Sequence, residues 1–149
     1  MDILKVVNGE SDAYWMVRLL DMSKPNANGV VYAPEATARS LTKGLLRQPR
    51  VFCEFGQPDL SYLNVLNPVD SDRFICRQSA VRQDNICGAL SNIRVDQRQV
   101  TAELRPWGKH ASVLRDLLKE EKAEPVFALR ALTNAKGEVD KIISWDLIG

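Results

Sequence analysis

The feature that most constrains the fold is a two-residue alternation in the middle of the chain. Ile93 and Val95 alternate with Arg94 and Asp96, and Val100, Ala102 and Leu104 alternate with Thr101, Glu103 and Arg105. Successive side chains of a strand point to opposite faces, so each run reads as a strand with one face toward a core and the other toward water. The two runs turn near Gln97, which predicts a β-hairpin over residues 89–105. VFALRAL and VDKIISWDLI, joined across TNAKGE with Gly137 as the turn residue, predict a second hairpin over residues 126–146.

The other segments fit around these hairpins. ILKVV and AYWMVRLL are rich in β-branched and aromatic residues and read as strands, while DMSKPNANG collects turn formers and reads as a loop. In PEATARSLTKGLL, Pro34 suits a first helical turn and Ala38, Leu41 and Leu45 recur at helical spacing, so a helix is expected there, ending between Gly44 and Pro49. RVFCEF, bounded by Pro49 and by Gly56-Gln57-Pro58, is a short strand feeding a loop that runs from Pro58 to Asp72. FICRQSAVRQDNICGALSNIRVD is expected to form one or two strands. Val113, Leu114, Leu117 and Leu118 share one face of an amphipathic helix from His110 to Glu121, which Pro125 closes. Strands outnumber helices, so the expectation is an α+β fold, a largely antiparallel sheet curled or barrel-like, with two main helices. No internal repeat or linker-like run divides residues 1–149, which are expected to form a single domain.

Composition narrows the function. With 149 residues, 45% hydrophobic and 26% charged, a chain of this size buries about 70% of its unfolded surface and needs no metal or disulfide staple. Lys and Arg number 20 against 19 Asp and Glu, a formal net charge of +1, so nucleic acid is not expected as a partner. Three cysteines, Cys53, Cys76 and Cys87, are an odd set, and the opening MDILKVVNGE lacks a basic-then-apolar leader, which suggests a reducing, cytosolic setting. No apolar run approaches the ~20 residues of a membrane span. The single histidine, His110, excludes a His-rich metal site and forces any Ser-His or Cys-His chemistry through one imidazole. Cys53, Cys76, Cys87 and His110 lack the paired short spacing of structural zinc ligands, so no metal and no cofactor is expected.

Four segments in order carry a family resemblance: NANGVVYAPEA, then VFCEFGQPD, then the strand pair ending in RPWGK with its helix, then PVFALRAL with a closing IISWDLI. Together, over about residues 14–148, they resemble the bacteriophage prohead (capsid maturation) proteases, whose fold is related to the herpesvirus assemblins. The resemblance implies that both hairpins belong to one sheet. It also implies a histidine in the loop after the short strand, a nucleophilic serine in the VFALRAL strand, and the two side by side at the sheet surface.

The departures from that pattern bear on catalysis. Gln57 stands where the family has histidine, Ala128 where it has serine, and Cys87 is the nearest counterpart of a further family histidine, while Arg130 is retained. An amide has no basic nitrogen to accept a proton, and alanine has no nucleophile. The resulting expectation is a prohead-protease-like protein without catalysis, a pseudoprotease that binds other phage proteins: a protease, a capsid or scaffold component, or a cargo. The alternative is an active serine or cysteine protease that cleaves capsid or scaffold proteins. Either would act in the cytoplasm of the infected cell or be packaged in the prohead or virion, with self-association left open. Arg130 is expected to pair with Glu54 in a structural salt bridge, and Cys53 and Cys87 to pack in the core. His110 is expected at the surface near a helix start, and Trp145 in the core. Arg73, Arg77, Arg82, Arg94, Arg98 and Arg105 are interleaved with acidic residues as a mixed solvated face. Trp107, in a Pro-Trp-Gly turn, is a candidate partner-binding anchor.

Overall fold

The computed structural model describes residues 1–9, 12–23, 39, 44–58, 60, 63, 64, 66–96, 98–120, 125–133, 135 and 139–148. Among them seven strands form: β1 (Asp2–Asn8), β2 (Ala13–Asp21), β3 (Val51–Glu54), β4 (Ile86–Asp96), β5 (Gln99–Pro106), β6 (Phe127–Thr133) and β7 (Val139–Leu147). Among the described residues two α-helices accompany them, α1 (Pro68–Gln78) and α2 (Ala111–Lys119). The fold is α+β, and its ladders are antiparallel: a five-stranded sheet in the order β1-β2-β5-β4-β3 and a two-stranded sheet of β6 and β7. Neither sheet closes into a barrel.

The central hairpin forms as its alternation predicts. Val100, Ala102 and Leu104 are fully buried, while their neighbours on β5 face outward or are half-covered. In β2 the alternation Trp15, Val17, Leu19 is broken by a register shift between Arg18 and Leu20, which turns Leu20 inward as well. A second irregularity, between Ser91 and Arg94, puts Asn92 in the left-handed region with φ 49°, a conformation asparagine tolerates. Before it β4 is buried on both faces; beyond it the strand runs out toward solvent.

That double burial comes from α2, which lies across β4 and β5. Leu114 is its fully buried anchor, with Val113, Leu117 and Leu118 only partly covered. Gly88 permits the close approach, because a Cβ there would stand 2.7 Å from Leu114 Cδ1.

Two expectations change, and a third falls largely outside the described residues. The C-terminal hairpin is not part of the main sheet: β6 and β7 pair with each other, and β7 meets the chain just after β3 through an isolated parallel bridge between Phe55 and Leu147. Residues 68–78, expected as loop running into strand, are helix α1. Asn67 caps it by accepting from the amides of Val69 (2.9 Å) and Asp70 (3.4 Å), with Pro68 in the first turn. The helix expected from Pro34 lies outside the described residues, save helical Arg39 and a 3-10 turn at Leu45–Arg47. Among the described residues no helix is long and apolar enough to cross a membrane.

Candidate functional site

The short strand β3 ends on a charged residue that the core would reject if it were alone. Glu54 has no exposed surface, and its carboxylate is enclosed by donors from three other elements. Arg77 of α1 donates from Nη2 to Oε1 (2.7 Å) and from Nη1 to Oε2 (3.1 Å), Asn85 donates to Oε1 (3.2 Å), and Arg130 of β6 donates from Nη2 to Oε2 (2.6 Å). Burial alone would push this carboxyl up; the hydrogen bonds from Arg77, Arg130 and Asn85 outweigh it and bring the pKa down to about 2. The expected Arg130–Glu54 salt bridge is present. Arg77 departs from its expected place on a solvated face, since its fork is spent on the buried carboxylate.

Arg130 also faces Asp146 of β7, with Nε 3.5 Å from Oδ2. Asp146 is fully buried, and neither of its carboxylate oxygens has a hydrogen-bond partner among the described residues. Burial pushes its pKa up to about 6, against the opposing pull of Arg130, with the Glu54 charge adding to the rise. Two carboxylates share one guanidinium, and their environments drive their proton affinities apart.

This cluster underlies the positions singled out in the sequence. Gly56, at φ 78°, donates its N–H to Leu147 O at 2.7 Å and so lays residues 55–57 along β7. On the other side of β7, Ala128 sits opposite Asp146 and Phe127 opposite Leu147. Gln57 is exposed and Ala128 half-buried, on two segments that flank β7. Cys87 and Cys53 are fully buried, and the Cys87 thiol donates to Cys53 O at 3.5 Å. Burial pushes both thiols up, Cys87 to about 12 and Cys53 further, far from a reactive thiolate at neutral pH.

The histidine, expected at the surface near a helix start, is half-buried, and the turn before α2 sets it beside these segments. Gly108, at φ 83°, leaves no room for a side chain, since a Cβ would lie 2.7 Å from Ile86 O. The tight turn lets His110 donate its backbone N–H to that same oxygen at 2.9 Å and stack its ring on Phe55, with centroids 5.5 Å apart. The chain's single imidazole thus touches the segment that carries Gln57. Trp107, in the same turn, is 47% exposed, stacks on Phe52 at 6.5 Å and lies under the Arg50 guanidinium at 4.7 Å. Trp145 is in the core. NANGVVYAPEA lies outside the described residues. Among the described residues no group of three or more His, Cys, Asp or Glu side chains could hold a metal ion.

A family model, the Peptidase S80 family, matches residues 5–149. The chain belongs to the Peptidase S80 family. The match begins inside β1 and covers the rest of the chain, and it bears out the resemblance to the prohead proteases. No curated protein and no solved structure matches the chain. Membership of Peptidase S80 also corrects the expectation of a pseudoprotease: the family points to an enzyme, and nothing in the match shows inactivity. The pseudoprotease reading rested on two side chains, Gln57 and Ala128. It took no account of His110 on Phe55: the Pro-Trp-Gly turn is visible in the sequence, but not that Gly108 in it brings the imidazole onto Phe55.

Proposed function

We propose that this member of the Peptidase S80 family is a phage peptidase whose substrates are capsid or scaffold proteins, acting in the infected cell or inside the prohead. The observation that supports the reading is the family match over residues 5–149. The substrate class comes from the resemblance to the prohead proteases. In this reading Gln57 and Ala128 take no part in proton transfer or attack, because an amide is not a base and a methyl group is not a nucleophile. His110 is the base, as the chain's one imidazole. Its ring stacks on Phe55, two residues before Gln57, and is only half-buried.

Incubation with denatured casein and with peptides spanning phage capsid and scaffold proteins, followed by mass spectrometry, tests the proposal. Discrete fragments are expected with the unmodified protein, and their loss is expected with His110→Gln. Substrates left intact by folded protein, while a control protease cuts them, would overturn the peptidase reading. Cleavage that survives His110→Gln would overturn the assignment of the base.

A further inference from the structure

We infer that a groove between the start of β2 and the last turn of α2 is a binding site for an acidic peptide segment of a partner protein. The groove has a volume of about 590 Å³ and is lined by Asp12, Arg105, Pro106, Arg115, Leu118 and Lys119, among others. That volume falls within the range of about 300–1,000 Å³ typical of ligand pockets.

The charges lining the groove are of two kinds. Arg105 is committed: it donates from Nε and Nη2 to Asp12 (3.0 and 2.8 Å) and from Nη2 to Glu103 (3.2 Å), and its guanidinium covers the Tyr14 ring at 4.1 Å. Asp12 is correspondingly neutralised, its carboxyl held below the usual range chiefly by the hydrogen bond from Arg105. Arg115 and Lys119 have no ion pair or side-chain hydrogen bond with any described residue. They are four residues apart on α2 and therefore one turn apart on the same face. Lys119 is in the last turn, where a cation suits the carbonyl end of a helix, but Arg115 is a full turn earlier and gains nothing from that end. In a chain with net charge +1, two cations in one concavity, neither paired with a described residue, are a local concentration.

Leu118, half-buried between them, and Pro106 on the facing strand add an apolar strip. An inorganic anion would leave that strip uncovered. A short peptide that alternates carboxylates with apolar side chains would engage the strip and both cations together. The groove is separate from the residues assigned to hydrolysis: His110 precedes α2 and Lys119 ends it, and the nine residues of that helix span about 13 Å at 1.5 Å per residue. A partner held here would be engaged away from residues 55–57, so the inference stands whether or not the protein cleaves what it holds.

The test is an NMR titration of the ¹⁵N-labelled full chain with an acetylated, amidated hexapeptide of alternating Asp and Leu, with its Asn counterpart, and with inorganic phosphate. The acidic peptide should shift the backbone amides of Ala13, Leu118 and Lys119, and its affinity should fall as salt is raised. Arg115→Glu with Lys119→Glu should weaken it at least tenfold, and Arg115→Gln with Lys119→Gln less than that. Both side chains are exposed, and the dispersion of the variant spectra checks that they fold. Equal binding of the Asn peptide, an unchanged affinity in the double Glu variant, or identical shifts from phosphate alone at equal affinity would each overturn the inference.

Discussion

Arg130 and Glu54, 76 residues apart, meet at 2.6 Å with both side chains buried, so that β6 is tied to the end of β3 by a charged contact inside the core. Removing one partner of such a pair leaves the other charge in a medium that cannot solvate it, a loss of about 3–5 kcal/mol. Arg130→Met should show that loss in urea unfolding, because it strands Asp146 as well. Arg77→Met, at a position 17% exposed, should cost less. Equal stability of Arg130→Met and the unmodified protein would mean that the pair contributes nothing to the fold.

The two carboxyls of the cluster give opposite pH dependences. Glu54 has a pKa of about 2 in the fold against an ordinary 4.5, so its contribution is complete above 4.5 and is lost as the pH falls toward 2. Asp146 is raised from 3.8 to about 6, so the fold holds a proton that the unfolded chain has released, and stability declines as the pH rises from 3.8 to about 6. Between 4.5 and 6 the decline due to Asp146 should therefore dominate this cluster. Urea midpoints for Asp146→Asn measured across that window should be flatter than those of the unmodified protein. Identical slopes would show that Asp146 titrates normally.

Gly88 and Leu114 should not behave independently. Gly88→Ala forces its methyl against Leu114 Cδ1 and, at 3.2 Å, against Arg105 O and Leu104 Cδ1. Leu114→Ala removes a fully buried side chain, a loss of about 2–5 kcal/mol. The double variant should be more stable than the sum of the two losses implies, since the cavity left by one accepts the methyl of the other. A strictly additive cycle would separate α2 from Gly88.

The thiols should divide cleanly. Cys76 is exposed, whereas Cys53 and Cys87 are buried with pKa values raised by burial. Titration of the native protein with a chromogenic disulfide at pH 8 should give one fast-reacting thiol, and three after denaturation. Two or three fast thiols in the native protein would contradict the burial of the pair.

Legibility in the sequence followed burial. The 93–104 alternation was readable because one face of β5 is wholly inside, and Arg130 could be matched to Glu54 because charges in apolar strands need partners. Helix α1 was not readable from its apolar residues: none of it is fully buried, and Phe74 and Ile75 in succession imitate a strand. Its usable signal was the Asn67-Pro68 cap with Asp70 in the first turn. The roles of Arg77 and His110 depend on where α1 and the Gly108 turn place them, which no spacing in the chain encodes. Substitution at two expected catalytic positions was a sound chemical observation, but it did not establish that a peptidase had lost its activity.

The join between the two sheets also has a kinetic side. Its contacts include the Phe55–Leu147 bridge, the Gly56 amide on Leu147, the Ser144 hydroxyl on Phe52, 92 residues away, and the buried Arg130–Glu54 pair. They close loops of 76 to 92 residues, and closing a loop of that length is entropically opposed until distant contacts form. The β6–β7 hairpin can zip locally, but its docking waits for the central sheet. Its amides should therefore exchange with solvent through a partial opening that leaves β2, β4 and β5 intact, which makes the C-terminal hairpin a cooperative unit of its own.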